Sequence, residues 1–98
     1  MGLTFAKLLE YFGVQELKDV LREINELQTG TRPELAKRVY SKWLTYNRKV
    51  DDLLDFLDDD TLKTICYDYN ENHKGDTSLL KRRIKKLLKP NLSKTLLP

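Results

Sequence analysis

The residues best suited to bind a ligand form a cluster of positive charge near the C-terminus. Six of the nine residues from 81 to 89 are basic and none is acidic. Three lysines at positions i, i+4 and i+8 of a helix would form one stripe, and two further cations would lie beside it. Arg83 would fall nearer the buried edge, where it would support the structure. Stacked like charges repel, and a polyanion such as a nucleic acid would relieve that repulsion. We call the outer five residues the basic ridge: Lys81, Arg82, Lys85, Lys86 and Lys89.

The basic ridge can also be interpreted without a nucleic-acid partner. It could be a solvated helix face, a nuclear-localisation-like run, or a surface that pairs with acidic residues of the same chain. Of these and the functional interpretation, we favour binding of a nucleic acid or another polyanion.

A second candidate site is the loop Gly30-Thr31-Arg32, which precedes a predicted helix. A helix N-terminus presents unpaired N–H groups and the positive end of the helix dipole, and both favour a phosphate. Gly30 would let the main chain approach that phosphate, and Arg32 would add a fork of donors. Lys37 and Arg38 follow on the same helix. The alternative is a capped, solvated helix start in which Gly30 is only a turn residue.

An acidic segment lies beside the basic cluster in the sequence. Residues 51–72 carry eight acidic and one basic side chain, whereas residues 73–98 carry eight basic and one acidic. If the fold sends the two segments to different faces, the molecule is strongly dipolar. Because the carboxylates fit no calcium-loop spacing and several sit where helix caps belong, we expect capping and no metal site. The alternatives are binding of a basic partner protein, or a repulsion that orients DNA onto the opposite face. The cluster comprises Asp51, Asp52, Asp55, Asp58, Asp59 and Asp60.

The sequence contains no arrangement of residues typical of a catalytic site. His73 has no second histidine nearby, and the sequence contains no P-loop, zinc-ligand set or nucleophile elbow. We therefore expect no catalytic residue, no cofactor and no metal. Cys66, the lone cysteine, is a predicted core residue that fits an intracellular, reducing compartment. We expect no membrane span and no secretory leader.

Aromatic residues at helical spacing could stack on bases, but their placement favours packing in the core or at its edge. They are Tyr40, Trp43, Tyr46, Tyr67 and Tyr69.

The elements that position these residues follow from an internal duplication. Residues 8–39 align without a gap with residues 53–84, and nine of the 32 aligned pairs are identical. A fixed period of this size marks a duplicated supersecondary unit. Each copy alone is small, so we expect the two copies to share a core. The identical pairs include Leu17-Lys18 with Leu62-Lys63, Gly30 with Gly75, and Arg38 with Arg83.

Helical periodicity predicts an all-α fold without strands, in which each copy has a short helix followed by two more helices. In the first copy the helices span about 5–12, 15–27 and 31–46; in the second they span about 50–57, 61–69 and 76–88, where Pro90 ends the last. Residues 1–90 are thus predicted to be one all-helical domain (repeat one about 5–46, repeat two about 50–88), with 91–98 a tail or linker. A capping box with proline opens the 31–46 helix, and Asp76 takes the place of Thr31.

The segment from residue 16 to 39 resembles a SAP motif. That family has a leucine-lysine pair in one helix, a glycine-containing extended loop, and a basic pair followed by leucine-x-x-x-arginine in the next helix. In the first copy these places are occupied by Leu17-Lys18, Gly30, Arg32, Leu35 and Arg38. LEM-like and Rho N-terminal-like modules share much of this pattern.

The second copy, residues 61–84, is a weaker match. It keeps Leu62-Lys63, Gly75, Leu80 and Arg83, but it has Asp76-Thr77 where the family usually has basic residues. A negative charge at that helix start would repel a phosphate. We therefore expect repeat one to be the better loop site and repeat two to act through the basic ridge.

The resemblance implies a non-catalytic module that binds nucleic acid, chiefly double-stranded DNA, through phosphate contacts with little base specificity. The alternatives are a LEM-like protein-interaction module and an accessory domain of a larger nuclease or helicase. The predicted nucleic-acid-binding residues are Lys18, Gly30, Thr31, Arg32, Lys37, Arg38, Lys42, Lys63, Lys74, Lys81, Arg82, Lys85, Lys86 and Lys89.

Overall fold

The computed structural model describes residues 2–96, and side chains as far as residue 88. Within those limits the chain is all-helical and has no strand, which confirms the predicted fold class. The α-helices are α1 (Phe5–Leu9), α2 (Val14–Glu23), α3 (Arg32–Lys42), α4 (Asp59–Asp68) and α5 (Thr77–Leu96). Two 3₁₀ helices, η1 (Leu44–Tyr46) and η2 (Val50–Phe56), lie between α3 and α4.

The 45-residue offset of the sequence recurs in the backbone. Helices α2 and α4 begin and end 45 positions apart, and so do the starts of α3 and α5 and of α1 and η2. The main chain adopts positive φ at Asn25 (57°) and Asn70 (59°), and again at Gly30 (130°) and Gly75 (120°). Because asparagine and glycine tolerate this region, both loops between the paired helices can follow the same path.

One apolar core contains residues of both halves. Phe5, Phe12 and Trp43 from the first half and Leu62 and Ile65 from the second are almost inaccessible to solvent. Helix α1 contacts α5, and α2 contacts η2, so each half packs against elements of the other. No polar or charged side chain among those described is buried in this core.

Helix caps follow the sequence closely. Thr4 Oγ1 accepts from Lys7 N at the start of α1, and Asp76 Oδ1 accepts from Leu79 N at the start of α5. The predicted capping box of α3 is present, with proline in its first turn. Helix α4 is capped by Asp58, and it begins at Asp59 rather than at the predicted residue 61.

Helix ends were predicted less well. Helix α2 ends at Glu23 because Asn25 adopts the left-handed conformation and Glu26 N donates to Leu21 O at 2.8 Å, a Schellman arrangement. Helical spacing predicted that Leu27 continues the buried face of Leu17 and Ile24, but it lies beyond the helix and is 62% exposed. Similarly, α1 ends at Leu9 rather than residue 12.

Three further predictions about the helices need correction. The segment 50–56 is a 3₁₀ helix; Val50 and Leu53 are three residues apart, a spacing that both helix types place on one face. Helical spacing predicted that Leu87 is buried together with Leu80 and Ile84, but Leu87 is only partly buried and Leu88 is fully buried instead. Pro90 does not end α5, which continues to Leu96. A proline inside a helix removes one main-chain hydrogen bond, and α5 continues despite this loss.

Candidate nucleic-acid interface

Helix α5 carries the basic ridge, and its Leu80, Ile84 and Leu88 are buried in the core. Arg82 and Lys86 are exposed and Lys85 is half-buried. These three cations, with Arg83 and Asp51, line an open surface pocket of about 520 Å³. The structure thus brings three of the predicted ligands into one place, where an anion would meet several donors. The side chain of Lys89 lies outside the described residues.

The acidic segment borders the ridge instead of occupying a different face. Lys81 Nζ lies 2.7 Å from Asp55 Oδ1 of η2, and the Lys81 side chain is only 26% exposed. We expected a strongly dipolar molecule only if the acidic and basic segments lay on different faces. That condition is not met where Asp55 meets Lys81, because η2 packs directly against α5. Lys86 is 4.0 Å from Glu71 and remains 73% exposed, a geometry that leaves it accessible.

Arg38 and Arg83 play the same part in the two halves. Arg38 Nη1 donates to Leu27 O (3.0 Å) and Thr29 O (2.8 Å), and Arg83 Nη1 donates to Asn72 O and Lys74 O. Each guanidinium therefore holds the loop that precedes its own helix. The sequence prediction assigned Arg38 to phosphate binding, whereas the structure gives it main-chain carbonyl partners.

Arg32 also contacts main-chain carbonyls rather than projecting freely from its loop. Its Nε donates to Phe12 O at 3.0 Å and its Nη2 to Glu10 O at 2.6 Å. These oxygens follow the end of α1, where a cation is favoured by the unpaired carbonyls. Arg32 therefore ties the start of α3 to the end of α1, a role that charge and spacing did not reveal.

The N-terminus of α3 already holds a carboxylate. Thr31 N donates to Glu34 Oε1 at 2.7 Å, and Glu34 N donates to Thr31 Oγ1 at 3.4 Å. A hydrogen bond from the Thr31 main-chain N–H, and one with the Thr31 side chain, lower the pKa of the Glu34 carboxyl below its ordinary value. A Cβ added at Gly30 would lie 3.1 Å from Glu34 Oε1, so this carboxylate occupies the space that the loop prediction gave to a phosphate.

The remaining predicted ligands are distributed over several elements. Lys18 on α2 is half-buried, and the other four are exposed on α3, on α4 and in the loop before α5. They do not line the pocket formed by the ridge. These four are Lys37, Lys42, Lys63 and Lys74.

The aromatic residues divide between core and surface. Trp43 is buried and its Nε1 donates to Lys49 O at 2.7 Å, as core packing requires. Tyr40 is 48% exposed but stacks on Phe5 with 5.1 Å between ring centroids. The prediction of packing in the core or at its edge is wrong for Tyr67, which is 70% exposed and lies nearly perpendicular to the His73 ring, with 5.6 Å between ring centroids.

Cys66 is a core residue, as predicted. Its side chain is inaccessible to solvent, and burial raises the pKa of the thiol. Such a thiol is a poor nucleophile, because the thiolate is the reactive form.

Sequence reasoning missed a polar contact between the halves. Tyr11 Oη donates to Asp68 Oδ2 at 2.6 Å, across 57 positions of sequence. Burial and this carboxylate raise the pKa of Tyr11. Long-range pairing of this kind has no local sequence signal.

The described part of the chain offers neither a metal site nor a membrane-spanning helix. No group of three or more histidine, cysteine, aspartate or glutamate side chains there could hold a metal ion. No helix there is long and apolar enough to cross a membrane. Comparison of the chain with known protein families, with characterised proteins and with solved structures finds no match in any of the three.

Proposed function

We propose that the chain is a non-catalytic, intracellular module that binds double-stranded DNA through its phosphate backbone, with little base specificity. The observation that carries this proposal is the pocket on α5 in which Arg82, Lys85 and Lys86 come together, with Arg83 and Asp51 completing its lining. Three cations around one open surface suit a phosphate chain better than a small apolar ligand. The resemblance of both halves to the SAP motif points to the same class of partner.

The contacts of the loop arginines change where the DNA would bind. Arg32 and Arg38 hold main-chain carbonyls, and Glu34 occupies the start of α3. In the proposed mode, the second half therefore contributes most of the phosphate contacts through α5. Exposed Lys37, at the position of α3 that aligns with Arg82, would add a weaker contact from the first half.

A protein partner is the second candidate function, and two exposed apolar side chains favour it. Leu27 is 62% exposed and Tyr67 is 70% exposed, each beside the loop between paired helices. The acidic segment 51–60 would suit a basic partner. A role as an accessory domain of a larger nuclease or helicase is compatible with either candidate.

Fluorescence anisotropy with a labelled 20-base-pair duplex tests DNA binding directly. If Arg82, Lys85 and Lys86 each neutralise one phosphate, log K falls against log salt with a slope of about −2.7. Affinity should then drop roughly 40-fold between about 50 and 200 mM salt. Single-stranded DNA and RNA of the same sequence measure the preference for duplex.

A matched pair of variants locates the interface. Arg82→Glu with Lys86→Glu should weaken duplex binding at least tenfold, because two contacts become repulsions. Lys7→Glu, a single charge reversal at an exposed residue of α1, should change affinity less than twofold. Native protein that fails to bind any of the three nucleic acids at low salt would refute the proposed function.

A further inference from the structure

The basic ridge is unequal across its width. On the side facing η2, Lys81 is held by Asp55 at 2.7 Å and is 26% exposed, while the Asp55 side chain is 68% exposed. Asp51, four residues before Asp55 on the same 3₁₀ helix, shares the pocket wall with Lys85. On the outer side, Arg82 and Lys86 are exposed. The cations thus grade from neutralised to accessible across the helix.

This pairing belongs to the second half alone. The positions that align with Lys81 and Asp55 are Ala36 and Glu10, and these cannot form an ion pair. At the position aligned with Lys85, the first half has Tyr40, which stacks on Phe5. Since the equivalent elements of the first half, α1 and α3, pack together with an alanine in place of Lys81, the fold does not require a charge pair between them.

We infer that Asp55 limits the affinity of the ridge for a polyanion: it neutralises Lys81 and keeps phosphates on the outer side, over Arg82, Lys85 and Lys86. The inference rests on the proposed function. A phosphate reaching Lys81 would have to displace a carboxylate already at hydrogen-bonding distance. The exposed Asp55 carboxylate would also repel any phosphate approaching from η2. Stripe spacing alone would instead make Lys81 and Lys85 equal ligands.

A double-mutant cycle read through salt dependence tests this assignment. In duplex titrations, Asp55→Asn should raise affinity at least twofold and steepen the salt slope by about 0.9, because Lys81 becomes available to one more phosphate. The double variant Lys81→Ala with Asp55→Asn should return to the native affinity and slope. Arg82→Ala is the matched loss of a contacting cation, and its slope should become about 0.9 shallower.

The cycle separates the possible failures. A double variant with a slope about 0.9 shallower than native would show that Lys81 contacts phosphate and would overturn the inference while leaving DNA binding intact. An Asp55→Asn variant that binds no better than native would overturn it as well. Native protein without any binding would refute the proposed function and the inference together. Circular dichroism of each variant verifies that helix content is unchanged.

A second measurement needs no DNA. Acetylation of amines by a small reagent, followed by mass spectrometry, should modify Lys81 several-fold more slowly than Lys86 in the native protein, because Lys81 is paired and mostly covered. Asp55→Asn should bring the Lys81 rate up toward that of Lys86. Equal rates in the native protein would mean that Lys81 is not masked, which contradicts the inference.

Discussion

At the scale of single residues, Arg38 and Arg83 stabilise the loops between the paired helices. Each guanidinium donates to two main-chain carbonyl oxygens of its loop. Hydrogen bonds from a charged donor contribute more than neutral ones, so Arg38→Ala and Arg83→Ala should each lower the free energy of unfolding by about 1–3 kcal/mol. Urea denaturation followed by circular dichroism measures this loss.

The adjacent lysine is the control for charge. Lys37 is exposed on the same helix as Arg38, so Lys37→Ala should change the free energy of unfolding by less than about 0.5 kcal/mol. If the Lys37 and Arg38 variants lost the same stability, the arginine would act through its charge and not through the loop carbonyls.

Individual site residues were only partly predictable from the sequence. The cluster Arg82, Lys85 and Lys86 follows from local spacing, because all three lie within five residues on one helix. The partners of Arg32 lie about 20 positions earlier in the chain, and no pattern in its own segment points to them. Charge and spacing therefore find where cations gather, but they do not distinguish a free guanidinium from one that already holds a carbonyl.

At the scale of elements, the start of α3 depends on the ionised form of Glu34. Hydrogen bonds from Thr31 lower the pKa of this carboxyl below its ordinary value in the folded state. Its contribution to stability is therefore present above the ordinary pKa and is lost as pH falls through the lowered one. We expect Glu34→Gln to lower Tm at neutral pH and to reduce the loss of Tm between about pH 5 and 3.

Glutamine is the informative replacement at position 34 because its amide oxygen can still accept from Thr31 N, so the capping box is kept and only the charge is removed. Thermal melts across this pH range measure the effect. A native-like pH profile in Glu34→Gln would mean that another carboxylate dominates the acid transition; Asp58, whose pKa is lowered by Thr61 in the same way, is the one to replace next.

Helix starts were more predictable than helix ends. The start of a helix depends on neighbouring residues. Thr31 and Glu34 form hydrogen bonds with the main chain of the first turn of α3, and Pro33 lies in that turn. The end of α2 depends on Asn25 entering the left-handed region, and apolar periodicity continues past it to Leu27. The pattern therefore extended the helix by one turn too many, and the asparagine was the signal that could have corrected it.

At the scale of the whole molecule, the order of the acidic and basic segments in the sequence did not predict whether they contact each other in the fold. The sequence shows an acidic and a basic segment in succession, and only the packing of η2 against α5 brings Asp55 to Lys81. Helical periodicity predicted that both halves are helical, and the aligned identities predicted the 45-residue repeat, but neither predicted which faces of the helices meet. For the same reason, the Tyr11–Asp68 contact between the halves emerged only from the fold.

The shared core also predicts how the molecule folds. Helix α1 packs on α5 and α2 on η2, so a chain ending at residue 48 would expose the apolar faces that the second half covers. A unit of that size buries too small a share of its surface to be stable without such cover. We expect the fragment 1–48 to show no cooperative thermal transition, while the full chain melts in one step. Circular dichroism and calorimetry measure both. A cooperative transition in the fragment would mean that the first half folds alone and that the duplication joined two independent units.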